Sequence, residues 1–171
     1  MAMTLIQRYD VTTSATLAYT FTSIPQTYVD LFLILTSQSA GSNTDGQTVR
    51  VNGDSAANYT QNYFRYTQSV GTNGGYVSAT GNPQATTSAG QSNLANYAGT
   101  TTIYFPNYTS TSTAKSWNAK IGADVNAATS NSTISIIGTQ WTGTAAITSI
   151  QISGYALYPS AYTTLSLYGI S

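Results

Sequence analysis

SIPQTYVDLFLILTSQ, residues 23–38, is the one stretch of this chain with a continuous apolar run, and its reading decides the fold. Val29, Leu31, Leu33 and Leu35 fall on one face of an extended strand at period two, while Phe32 and Ile34 make the opposite face apolar as well. A strand apolar on both faces sits in the middle of something. The outer face of a two-sheet protein is expected to be polar, so Phe32 and Ile34 are expected to meet a covering segment of the same chain or another subunit. Ile24-Pro25 sets the start of the strand, because the residue before proline is pushed to extended geometry.

Working outward from this strand, the pattern stays extended. Glu is absent, Leu is sparse, and no apolar i, i+3, i+4 stripe of useful length occurs, so helices are not expected. Strands are expected at 4–9, 15–21, 48–52, 58–68, 100–108, 115–124, 132–141, 145–153 and 163–170. KSWNAKIGAD at 115–124 alternates most strictly, with Trp117, Ala119 and Ile121 inside and Ser116, Asn118 and Lys120 outside. Asn52-Gly53 favours a tight turn, with 58–68 as the strand that returns from it. Residues 69–96 carry strong turn signals and few apolar side chains. They read as a long loop-rich excursion with at most a short strand near Tyr76. The whole is expected to be all-β: a two-sheet antiparallel sandwich, jelly-roll-like, of about eight to ten strands in a single domain over 1–171.

Composition narrows the function classes. Charged residues are 6% of the chain and cancel, which argues against nucleic acid and against a polybasic membrane contact. Cysteine and histidine are both absent, so no disulfide, no thiolate or imidazole metal site and no His-based triad is expected. The N-terminal MAMTLIQRYD has neither a basic n-region nor an apolar h-region, and no apolar run approaches a membrane span.

Five aspartates, Asp10, Asp30, Asp45, Asp54 and Asp124, are the only acidic groups, with no motif spacing between them. A glycosidase using two of them is the least favoured reading. Calcium at Asp45 and Asp54 is the one metal candidate, weighed against ordinary turns. No cofactor is expected. The most unusual positive feature is the fourteen tyrosines. Each is a good strand former, yet Tyr59, Tyr63, Tyr66 and Tyr76 fall close enough together to be a candidate partner or glycan contact.

Three blocks resemble a known group: SIPQTYVDLFLIL, VRVNGDSAANY at 49–59, and TAAITSIQISGYALYPSAYTTLSLYGIS at 144–171. They are similar to small β-sandwich virion structural proteins of tailed bacteriophages, of the cyanophage and marine phage type. Shared features are Ile-Pro at the start of a strand, an Asn-Gly-Asp turn followed by Asn-Tyr, and a terminal Ser-Leu-Tyr-Gly-Ile. The resemblance implies a non-enzymatic virion component. It is either a capsid decoration (cement) protein or a tail fibre or baseplate module that binds a receptor or carbohydrate. The implied partners are the major capsid protein or other virion proteins, with a homo-oligomer (trimer or dimer) expected. Assembly in the host cytoplasm and release by lysis would need no export signal.

Overall fold

A computed structural model describes residues 2–11, 18–39, 45–67, 71–90, 98–123, 132–154 and 163–171. The described strands are β1 (Met3–Asp10), β2 (Ala18–Phe21), β3 (Asp30–Ser39), β4 (Asp45–Val51), β5 (Tyr59–Thr67) and β6 (Gly71–Thr80). They continue with β7 (Gln84–Gly90), β8 (Gly99–Phe105), β9 (Lys115–Ala123), β10 (Thr133–Trp141), β11 (Ile150–Gly154) and β12 (Thr164–Ile170). Among the described residues there is no helix. The fold is an all-β sandwich.

The large sheet runs β1-β12-β3-β8-β9-β10-β5-β6, antiparallel throughout. Facing it, β2, β11 and β4 form the small sheet, and β7 extends this sheet from the β4 edge. A short parallel ladder between Gln38–Ser39 and Ala89–Gly90 ties β7 to β3. The chain changes sheet at most of its connections, so each sheet is assembled from distant segments.

The core lies between the sheets. Leu31, Leu33, Leu35, Ile103, Phe105, Leu165 and Leu167 face Phe21, Val49, Val51, Ile150 and Ile152, all buried. Each buried Leu contributes about 2 kcal/mol by area. Trp117 fills the centre against Phe105, with ring centroids 5.2 Å apart, and edge-on to Tyr59 at 6.1 Å. Strand β9 alternates as its sequence predicts, with Trp117, Ala119 and Ile121 buried and Ser116, Asn118 and Lys120 exposed.

The Asn-Gly-Asp block forms a corner that joins the sheets. Asn52 and Gly53 both have positive φ, 53° and 68°, and the Asp54 amide closes the turn on the Val51 carbonyl at 3.0 Å. The Asn52 side chain accepts from the Thr148 amide (2.8 Å) and donates to the Ala146 carbonyl (2.8 Å), which pins the segment before β11. Asp54 Oδ2 accepts from Trp141 Nε1 (2.6 Å) and Asn58 Nδ2 (2.9 Å), while Oδ1 caps the Ala56 amide. These donors, led by the indole, hold the Asp54 carboxyl below the usual aspartate range.

Three sequence expectations change here. The Asn52-Gly53 turn forms, but it is not a hairpin: β4 pairs β11 and β7, whereas β5 pairs β6 and β10 across the sandwich. A turn signal fixes local geometry, not the partner of the next strand. Residues 71–80 and 84–90 of the expected loop-rich excursion are strands, which is why there are more strands than expected. They are held by backbone ladders that need no apolar side chains. Val29 does not join the face of Leu31, Leu33 and Leu35. It precedes β3 and is largely exposed.

Candidate functional site

Strand β10 sets the character of the outer face of the large sheet. Trp141 and Ile137 are buried, so period two places Thr139, Ser135 and Thr133 inside with them and turns Ile136 and Ile134 outward. These two isoleucines are 52% and 67% exposed. Its neighbour β5 behaves the same way. Buried Tyr59 and Gln61 put Tyr63 and Arg65 on the inner side, and Phe64 and Tyr66 outside at 57% and 47% exposure.

The pair of strands is therefore inverted at this end, polar within and apolar without. Inside, Gln61 Nε2 donates to Thr139 Oγ1 (2.9 Å) and to the Gln84 carbonyl (2.6 Å), while its Oε1 accepts from the Gln84 amide (2.9 Å). Arg65 donates to Ser135 Oγ (3.2 Å) and Gln84 Oε1 (3.1 Å), with its guanidinium carbon 5.7 Å from the Tyr63 ring centre. A one-residue slip would bury Ile134 and Ile136, but it would also eject Trp141, Ile137 and Tyr59. The register is thus held by the other end of the same strands.

The cross-strand register places these side chains together. Ile134 is paired with Tyr66 and Ile136 with Phe64, forming a continuous apolar surface. Further along the same strands, the row Tyr76, Asn62, Gly138, Asn118, Tyr104 crosses five strands from β6 to β8. The next row carries Thr60, Gln140 and Ser116, with Pro106 beside them. Since Gly138 has no side chain, an open cleft of about 300 Å³ lies over the middle of the two rows, lined by Asn62, Gly138 and Asn118 of the first and by Thr60, Gln140 and Ser116 of the second. At the β8 end of the first row, outside the lining of the cleft, the Tyr104 hydroxyl donates to Asp30 Oδ2 at 2.6 Å, which raises the tyrosine pKa. Asp30 Oδ1 is taken by the Asn107 amide at 2.8 Å.

The four tyrosines expected to cluster divide between the two faces. Tyr59 is wholly buried and cannot be a surface contact. Its hydroxyl donates to the Asp54 carbonyl (3.0 Å) and accepts from the Val51 amide (3.2 Å), and burial pushes its pKa up to about 12. Tyr63 is half-buried against the core, with its hydroxyl packed on Gly75. Only Tyr66 and Tyr76 face outward, Tyr66 at the apolar end and Tyr76, 63% exposed, beside the cleft.

Phe32 and Ile34 lie on the same outer face and are half-buried, neither sealed nor bare. Phe32 stands between Tyr104 and Tyr168 on the adjacent strands, and Ile34 between Thr102 and Ser166. The N-terminal strand does not cover them, because β1 adds to the sheet beyond β12. The residues that sequence reasoning missed are Ile134 and Ile136, and with them Asn62, Asn118 and Gly138. Parity counted back from Trp141 would have found the isoleucines.

Among the described residues, no three acidic groups gather to hold a metal ion. Asp54 is not open to calcium, since its oxygens are taken by N–H donors. The Asp45 side chain and Asp124 lie outside what is described. Asp10 pairs with Arg8 at 2.9 Å, so the three aspartates with described side chains each serve a separate structural contact. Lys115 is buried at the end of β9, its ammonium donating to the Thr113 (2.7 Å) and Thr144 (2.9 Å) carbonyls, and desolvation lowers its pKa.

Comparison of the sequence with protein-family models and with curated proteins finds no match. The functional reading therefore rests on the face just described and on the three sequence blocks.

Proposed function

We propose that this chain is a non-enzymatic virion structural protein of a tailed phage, a decoration protein that seats the apolar end of its large sheet on the head shell. The observation that carries the reading is the inversion of β5 and β10. Phe64, Tyr66, Ile134 and Ile136 are held outward by a register that the core fixes, and four contiguous large apolar side chains on an outer face favour burial against a partner. The blocks that resemble virion proteins supply the class of partner, the major capsid protein or a neighbouring virion protein. Near-zero net charge fits an association driven by shape and apolar area rather than by long-range steering.

Counting copies in purified particles tests the location. Hundreds of copies on the head are expected, and a few copies at the tail tip would overturn the decoration reading. A second measurement tests the face. The Ile134→Ser/Ile136→Ser double variant is expected to keep the folded monomer within about 1 kcal/mol of the parent, since both side chains are exposed. Its affinity for shells lacking the protein should fall by at least about 30-fold. Unchanged shell binding would remove this face from the interface.

The runner-up, a tail module that binds a carbohydrate receptor, is favoured by a different observation, the polar cleft at Gly138.

A further inference from the structure

We propose that the cleft floored by Gly138 is a binding site for a neutral oligosaccharide. It occupies a different stretch of the face from the apolar end, and neither reading depends on the other.

The first argument is the state of the lining groups. Asn62, Asn118 and Gln140 offer amides, and Thr60 and Ser116 offer hydroxyls, all on the outer face. None of these side chains is engaged in a hydrogen bond with another described residue, in contrast to the inward Gln61, Thr139 and Arg65 of the same strands. Adjacent uncommitted amides supply donors and acceptors together, which suits hydroxyl groups that both give and take hydrogen bonds.

The second argument is the pair of tyrosines that flank the lining residues in the register. Tyr76 stands next to Asn62 and Tyr104 next to Asn118, one tyrosine at each end of the row. Four inter-strand steps separate them, roughly 19 Å. Tyr104 is held in place through Asp30, so its ring loses little freedom on binding. A pyranose ring presents an apolar C–H face to such a ring and its equatorial hydroxyls to the amides between.

The third argument is charge. No ionisable side chain lines the cleft. The nearest outward cation in the register is Lys120, opposite Ile136 in the adjoining row. Asp30 is already committed to Tyr104 and Asn107. With no charged group in the lining itself, the cleft matches a neutral ligand better than an acidic or phosphorylated one. A peptide is disfavoured because the cleft lies on the face of the sheet. Backbone groups there are consumed by the β9, β10 and β5 ladders, and strand addition is closed.

Gly138 makes the test clean. A Cβ built on it would lie 3.6 Å from Asn118 Oδ1 and 4.0 Å from the Asn62 carbonyl oxygen, ordinary contacts, and its backbone is not left-handed. Valine is a better strand residue than glycine, so Gly138→Val should fill the cleft while leaving the fold as stable or more so. Gly122→Val is the control. Gly122 lies on the same outer face, with nothing within 4 Å of its added Cβ.

The experiment titrates linear cello-, malto-, manno- and N-acetylchito-tetraose into the purified protein by calorimetry. At least one is expected to bind the parent and Gly122→Val alike, and to bind Gly138→Val, Asn118→Ala and Tyr76→Ala at least tenfold more weakly. No binding of any of the four to the parent at millimolar concentration would overturn the proposal. So would binding that Gly138→Val leaves intact. Should Gly138→Val fail to fold, Asn118→Ala decides, since its side chain is exposed and supports no other contact.

Discussion

Asp54→Ala is expected to lower the stability of the folded chain by about 3 kcal/mol, read as a fall in the urea midpoint at unchanged slope. The carboxylate lies at the surface of the corner, but its work is directed inward. It takes the indole N–H of Trp141 at 2.6 Å, the amide of Asn58 at 2.9 Å and the backbone of Ala56 at 2.9 Å. Alanine would leave the indole of a buried tryptophan without its acceptor and release the segment that delivers Tyr59 to the core. The effect should depend on pH with a defined sign. The folded pKa lies below the unfolded one, so the folded state binds fewer protons between the two. The carboxylate's contribution is complete above the ordinary aspartate range and is lost as pH falls through the depressed folded value. Asp54→Asn should therefore be destabilising at pH 7, with the gap from the parent narrowing as pH falls from the ordinary aspartate range through the depressed folded value. A gap that stayed constant down to pH 2 would show that the charge is not what holds the corner.

Gly169→Ala should cost about 2 kcal/mol, although the residue sits in a regular strand with an ordinary backbone. The obstacle is the Tyr28 ring, which lies across Gly169 so closely that an added Cβ would fall 2.3 Å from it. Gly169 is paired on both sides, with Thr4 of β1 and Leu31 of β3, so the strand cannot move away. Combining the change with Tyr28→Ala should recover most of the loss, because the clash disappears with the ring. A double-mutant cycle that gave simple additivity would place the cause elsewhere.

Both sites fall in sequence blocks on which the proposed virion role rests, and the geometry gives each a structural reason. The Asn-Gly-Asp turn followed by Asn-Tyr is the sheet-joining corner, and the glycine of Ser-Leu-Tyr-Gly-Ile is the seat of a tyrosine ring. Neither block lines the cleft at Gly138.

How much of this was legible in the sequence varies from strand to strand. Strict alternation in β9 and the Leu31, Leu33, Leu35 series were readable because one face is dry and the residues on it are unambiguous. Tyr59 was not. A tyrosine serves as a core residue when its hydroxyl finds partners, and those partners, the Asp54 carbonyl and the Val51 amide, lie at a corner that no local pattern reveals. Strand β7, and the length of β6 beyond the short strand expected near Tyr76, were hidden for the opposite reason: their glycines, threonines and serines carry little apolar signal, and backbone pairing defines them. The site suffered most, since Ile134 and Ile136 look like core residues until Trp141 fixes which parity is inward.

The inversion along β5 and β10 also has a dynamic consequence. At the Tyr59–Trp141 end the ladder is backed by aromatic core, whereas toward the Thr67–Thr133 end it is backed by the hydrogen-bonded Arg65, Ser135 and Gln84 group and open to water outside. Opening free energy should thus fall from one end of a single strand pair to the other, and amide exchange should quicken steadily from Trp141 toward Thr133. A partner seated on Phe64, Tyr66, Ile134 and Ile136 would slow exchange chiefly at the faster end, so the free protein is least rigid where the bound one gains most.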